Sequence, residues 1–166
     1  MKIFAFDLGK VCGFACGNYN GKDKPAVISG RVEFKTTRFQ DGGMRFVRFK
    51  KMLNELLDAS GKPDMAVFEE VRGHKGVDAA HYYGGYLAVL IVWCKENEIL
   101  YEGVPVGTIK GFATGKGNAS KEQMIAAVTS WGYSPDDDNE ADAIALLHCW
   151  LVEHESAEKP EIKQVA

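Results

Sequence analysis

At 166 residues, with 20 Lys+Arg against 23 Asp+Glu and a net charge of −3, the chain is the size of one domain. Its 46% hydrophobic and 26% charged content excludes a disordered chain, and the length supports a core without disulfides or a structural metal. The mild acidic excess excludes a histone-like DNA coater but not a nucleic-acid enzyme, because phosphate contacts need only a local basic surface.

In chain order, residues 2–8 are rich in Ile and Phe and read as a strand, Gly9-Lys10 as a turn, and 11–17 as a second strand. Residues 21–25 turn again and 26–34 alternate as a third strand, which predicts an antiparallel meander. A polar loop follows over 35–43. In 44–59 the apolar residues Met44, Val47, Met52, Leu53, Leu56 and Leu57 fall at helical spacing, and Gly61-Lys62-Pro63 stops the helix. Residues 65–68 form a short apolar strand ending in Glu69-Glu70. A basic, glycine-containing loop covers 71–76, and 77–97 is a long apolar helix that Gly84-Gly85 is expected to interrupt.

Residues 99–106 read as strand, 108–113 as a helical turn and 114–119 as a glycine-containing loop. Ser120 and Gln123 form a capping box for a helix to about Trp131. Asp137 and Glu140 form a second candidate box, opening a helix over 138–155. Residues 156–166 read as a frayed polar tail after one domain spanning 1–155. A meander followed by alternating helices and strands predicts a mixed α/β sheet with helices on its faces.

The longest apolar run, 87–94, is far short of the ~20 residues of a membrane span, so no membrane association is expected. The first seven residues do not read as a secretory signal. Cys12, Cys16, Cys94 and Cys149 form no Cys-x-x-Cys pair and have no histidine at zinc-finger spacing; they read as free thiols of a reducing cytosol.

Three acids stand in apolar settings: Asp7 at the end of the first strand, Glu69 at the end of 65–68, and Asp142 one turn inside the last helix. Such acids are costly without a partner or a cation. Carboxylates from three separate elements would suit Mg²⁺, which prefers oxygen ligands, and two ions roughly 3.5–4 Å apart would clamp the attacking and leaving oxygens of a phosphodiester. Each acid also has a plainer reading: a turn former, a solvated strand end, a partner for a lysine. Asp138 and Asn139 share a helix face with Asp142, whereas Glu140 points elsewhere. Asp136, Asp137 and Asp138 also suit capping and the helix dipole.

The basic residues fall into three groups. Arg38, Arg45, Arg48, Lys50 and Lys51 interleave with Phe39, Phe46 and Phe49; Arg72 and Lys75 make a second group; Lys110, Lys116 and Lys121 make a third. Each group suits a phosphate backbone, and the first also suits the solvated face of an amphipathic helix. The four histidines show no ligand pattern, and His148 reads as packed or solvent-facing.

The ordered set of motifs resembles the RuvC family of Holliday-junction resolvases, especially short phage-encoded members, within the RNase H-like nuclease superfamily. Four stretches carry the resemblance: Phe6-Asp7-Leu8-Gly9 with Gly13 and Ala15; residues 63–71 around Glu69; Thr108-Ile109-Lys110 with Gly115-Lys116-Gly117 and Ser120-Lys121; and Asn139-Glu140-Ala141-Asp142-Ala143. The resemblance implies an RNase H-like fold with a five-stranded mixed sheet. It implies DNA phosphodiester hydrolysis dependent on two Mg²⁺ or Mn²⁺ ions per site, with no organic cofactor. The implied assembly is a homodimer that nicks opposed strands of branched DNA in a bacterial cytoplasm. Asp7, Glu69 and Asp142 map as metal ligands. Asn139 stands where the family often has a further acid or His, with Asp138 on the same face as a substitute. Lys110 and Lys121 map onto lysines near the scissile phosphate. Arg72 stands where the family often has an aromatic wedge, which implies structure-dependent cutting with weak sequence preference. Tyr82, Tyr83 and Tyr86 nearby suit packing, with base stacking as the rival.

The same residues admit three rival readings. A sugar-kinase or actin-like phosphate loop at Asp7-x-Gly would need two such domains. A resolvase-like RNase would share the acids and act on structured RNA. A junction-binding module that has lost its metal site is favoured by Asn139.

Overall fold

The computed structural model describes residues 1–39, 41–73 and 76–155. The elements are β1 (Lys2–Asp7), β2 (Val11–Asn18), β3 (Ala26–Glu33), α1 (Met44–Ser60), β4 (Met65–Glu70), α2 (Val77–Glu96), β5 (Leu100–Pro105), α3 (Val106–Thr114), α4 (Lys121–Ser130) and α5 (Asp138–Glu155). The strands form one sheet in the order β3-β2-β1-β4-β5. The β1–β2 and β2–β3 pairs are antiparallel, and β1–β4 and β4–β5 are parallel. This is the expected mixed sheet, with the meander at one edge.

Successive strand residues point to opposite faces, and that alternation sorts the core. Ile3, Ala5, Ala15, Val67 and Val104 pack with Ile109, Met124 and Ile144 under α3, α4 and α5. Phe4, Phe6, Cys12, Cys16, Ala66 and Phe68 pack with Phe49, Leu53, Tyr86 and Trp93 under α1 and α2. Asp7 follows the parity of Ile3 and Ala5, and Glu69 follows that of Val67. Both therefore point toward α5, while Glu70 follows Phe68 to the other face.

The α5 helix lies close on β2 because Gly13, Ala15 and Gly17 present almost no side chain. A Cβ at Gly13 would sit 1.9 Å from the Asn139 carbonyl oxygen, and one at Gly17 would sit 2.8 Å from Leu147. Gly13 is also the register partner of Asp7. The first turn of α5 is thus laid beside the end of β1.

Three local expectations are corrected. The glycine pair does not interrupt α2, which is continuous from Val77 to Glu96. A Cβ at Gly85 would lie 2.3 Å from the Phe46 ring, so this glycine serves helix packing rather than a break. The predicted helical turn is a full helix, α3, whose two glycines and β-branched residues give low propensity and whose buried Ile109 anchors it to the core. The α4 capping box forms as expected. At α5 only half of the box forms: Asp137 Oδ1 accepts from the Glu140 N–H at 3.0 Å, but the Glu140 carboxylate turns to the Asp136 N–H and to Ser29.

All four cysteines are free and buried. Among the described residues no helix is long and apolar enough to cross a membrane. The 156–166 tail, Lys75 and His74 lie outside the described residues.

Candidate active site

The parallel strands β1 and β4 run in register, with Phe6 beside Phe68, so their terminal acids Asp7 and Glu69 emerge next to each other. From above, α5 brings Asp142 to the same place. Each carboxylate feels the others. Burial, then Glu69, Asp142, Asp138 and Asp137 in that order, push Asp7 well above the usual carboxylate range. Burial and Asp142 raise Glu69 to about 7, with Lys110 opposing. Burial raises Asp142 to about 6 against Lys110 and Lys121, with Asp138 and Asp137 adding to the rise.

Glu69 Oε1 and Asp142 Oδ1 are buried and have no hydrogen-bond partner. Two such oxygens aimed into one acidic cluster are a cost that a hard cation would remove. Among the described residues no three Asp, Glu, His or Cys side chains stand together at metal-holding distance. The donor chemistry nonetheless fits a divalent ion, since every group is a carboxylate and the negative charge is uncompensated except by lysines.

Those lysines come from α3 and α4. Lys110 Nζ donates to the Ala119 carbonyl at 3.1 Å and acts on both Glu69 and Asp142. Lys121, the first residue of α4, is ion-paired with Asp138 and has a raised pKa through that hydrogen bond. Asp138 is mostly buried, with 22% of its side chain exposed, and acts on Asp7 and Asp142. The Asn139 amide donates to Asp137 Oδ2 at 2.9 Å.

The other basic residues are not gathered with the acids. Lys116 is exposed in the turn after α3. Arg72 is exposed at the exit of β4, 3.8 Å from Glu70. Arg45 lies over the Tyr82 ring at 4.2 Å and donates to the Gly42 carbonyl, and Arg48 donates to the Lys35 carbonyl. Arg45, Lys10, Lys35, Tyr82 and Tyr86 line one cleft, and a second shares Lys10 and Tyr82 and runs past Leu8 and Gly9 beside Asp7.

Tyr83 packs as expected but has a further role that the sequence did not indicate, and Ser29 escaped the sequence reading altogether. Tyr83 is buried, and its hydroxyl donates to the Glu69 carbonyl at 2.9 Å and accepts from the Val71 N–H at 3.3 Å, fixing the end of β4. Ser29 reaches Glu140 from β3. Both contacts are long-range, and no local pattern marks them. His148 is a packing residue: it lies beside Trp131, contacts the Tyr133 hydroxyl at 2.8 Å, and burial lowers its pKa to about 4.

No family model matches the chain. It is 28% identical to the crossover junction endodeoxyribonuclease RuvC of Caldicellulosiruptor saccharolyticus over 141 residues, 82% of each chain. It is 30% identical to the crossover junction endodeoxyribonuclease RuvC of Brachyspira hyodysenteriae over 140 residues, 82% of this chain and 86% of that one. The chain belongs to the RuvC family. Its fold matches Thermus thermophilus RuvC with a TM-score of 0.75 at 22% identity, over 95% of this chain and 99% of that one. It also matches T. thermophilus RuvC in complex with a Holliday junction substrate, with a TM-score of 0.76 at 21% identity, over 90% and 92% of the two chains.

Proposed function

We propose that this RuvC-family chain is a metal-dependent endonuclease that resolves four-way DNA junctions, and related forks or flaps, by phosphodiester hydrolysis. The observation that carries this is the coupled cluster of Asp7, Glu69 and Asp142 beside Lys110 and Lys121. Support comes from relatives named as crossover junction endodeoxyribonucleases and from a fold neighbour solved with a Holliday junction.

Left to themselves, three carboxylates would repel a phosphodiester as they repel one another. Two Mg²⁺ or Mn²⁺ ions suit this donor set and, when bound, would supply activation of water and stabilisation of the leaving oxygen. Asp7, Glu69 and Asp142 would hold them. Asp138 is the better fourth carboxylate, because it acts on two of the three acids while Asn139 is committed to Asp137. Lys121 is exposed and tethered only at its tip, so it can exchange Asp138 for a phosphate oxygen and steady the charge that develops there. Lys110, held by the Ala119 carbonyl, would offset the remaining negative charge. No covalent intermediate on the protein is required.

Lys116 and Arg72 would follow the phosphate backbone outward, with Lys75 a further contact proposed from the sequence alone, and the clefts past Lys10 would lead an arm toward Arg45, with Arg48 held nearby on the Lys35 carbonyl. Paired cuts on opposed strands need two sites, hence a homodimer of one nuclease domain per chain, residues 1–155, with no organic cofactor.

The test is cleavage of an end-labelled four-way DNA junction beside a linear duplex and a matched RNA junction, with Mg²⁺ or with EDTA. Paired nicks in the DNA junction alone, lost in EDTA and in Asp7→Asn and Glu69→Gln, are expected. Binding without cutting in any divalent metal would leave a junction-binding module, and preferential RNA cutting would move the substrate class.

A further inference from the structure

Glu140 is a buried acid, 6% exposed, that the proposed chemistry does not use. Both of its oxygens are partnered. Oε1 accepts from the Ser29 hydroxyl at 2.7 Å and Oε2 from the Asp136 N–H at 2.8 Å. Ser29 and Arg31 lie two apart on β3, so they share a face. Arg31 reaches the same turn of α5, 3.3 Å from Asp137. Asp137 in turn accepts from the Glu140 N–H and the Asn139 amide. On the neighbouring strand, the Asn139 carbonyl rests against the bare backbone of Gly13.

A leucine at position 140 would cover this part of the sheet as well as a glutamate does, but an apolar contact is non-directional and leaves a helix free to rotate slightly about its axis. The Ser29 hydrogen bond to one oxygen of Glu140 is directional and opposes that rotation, while the Asp136 N–H holds the other oxygen to the segment leading into α5 and so fixes the side chain's own conformation. Residues two apart on a helix differ by about 200°, so fixing Glu140 against β3 fixes Asp142 on the far side, over β1 and β4. Asp138, four residues before Asp142, turns with it.

We propose that the Ser29–Glu140 pair is a rotational brace, and that Glu140 is a positioning residue that sets where Asp142 and Asp138 meet Asp7 and Glu69. The inference rests on reading Asp142 as a metal ligand. Supporting contacts behind metal ligands are commonly worth about 10-fold or more in affinity or activity, which sets the expected size of the effect.

The variants are Glu140→Ala, Glu140→Gln and Ser29→Ala. Glutamine can keep both contacts, its oxygen accepting from Asp136 and its amide donating to the serine. Mn²⁺ binding is measured by calorimetry, with junction cleavage and the thermal midpoint read alongside. Glu140→Ala and Ser29→Ala should weaken Mn²⁺ and lower kcat by about 10-fold, with KM changed no more than about twofold, while Glu140→Gln stays near wild type.

Alanine variants that lower the midpoint but keep wild-type Mn²⁺ affinity and kcat would overturn the brace. A glutamine variant that binds Mn²⁺ as poorly as Asp142→Asn would overturn it too, making Glu140 a ligand. If Glu140→Ala fails to fold, Ser29→Ala decides, since it removes one hydroxyl from a partly buried strand. Wild type and Asp142→Asn binding Mn²⁺ alike would sink the metal reading itself, a result distinct from failure of the brace.

Discussion

Glu69 has the clearest consequence at the scale of a single residue. Burial and Asp142 raise its pKa to about 7, and Asp7 and Asp142 are raised beside it. An unfolded carboxyl titrates near pH 4. Between about pH 4 and about 7 the folded, metal-free chain therefore holds protons that the unfolded chain has released. The stability this confers is present at low pH and is lost as the pH rises through the folded values. In EDTA, the midpoint of urea unfolding should fall between about pH 5 and about pH 8. Glu69→Gln should flatten that slope and stabilise the chain at the upper pH by on the order of 2 kcal/mol. Saturating Mg²⁺ should do the same to the wild type and not to the variant. Parallel pH profiles for the two proteins would show that the carboxylates are not coupled.

At the scale of elements, the two adjacent glycines of α2 make opposite predictions. Nothing lies within 4 Å of a Cβ at Gly84, whereas a Cβ at Gly85 would meet Phe46 at 2.3 Å. Gly84→Ala should stabilise the chain by about 0.5–1 kcal/mol through helix propensity alone. Gly85→Ala should cost about 1–3 kcal/mol by forcing α1 away. Urea denaturation of the two proteins checks both signs, and equal effects would mean that α1 does not pack there.

The same pair shows what a sequence withholds. Their apolar settings made Asp7, Glu69 and Asp142 legible as candidates and the family resemblance chose Glu69 over Glu70, a choice that strand parity explains, since Glu69 and not Glu70 faces α5. Glycine in a helix, by contrast, reads locally as a break, and only the neighbouring helix reveals Gly85 as a contact. The length of α3 escaped for a related reason: its poor propensity is overridden by the burial of Ile109. Ser29 escaped, as did the contacts made by Gly13 and Tyr83, because each acts on a residue at least 14 positions away, as between Tyr83 and Glu69.

At the scale of the whole molecule, one chain carries one acidic cluster, and a four-way junction resolved by paired cuts needs two. The surface formed by α1 and α2 lies on the opposite face of the sheet from that cluster and leaves apolar side chains uncovered. Phe46, Val47, Val89 and the stems of Lys50 and Lys51 line a groove there, with Val47 59% exposed and Val92 53% exposed. Pairing through this face would leave both acid clusters open to DNA. Because Val92 is exposed, Val92→Glu should leave the fold intact while placing a charge in any such interface. Sedimentation should show a dimer for the wild type and a monomer for the variant. On a supercoiled plasmid carrying a cruciform, the wild type should release linear product, and the variant should stop at nicked circles, because its two cuts are no longer made in one bound complex. A monomeric wild type that still linearises the plasmid would remove the dimer from the mechanism, and a Val92→Glu protein that remains dimeric would move the interface to another face.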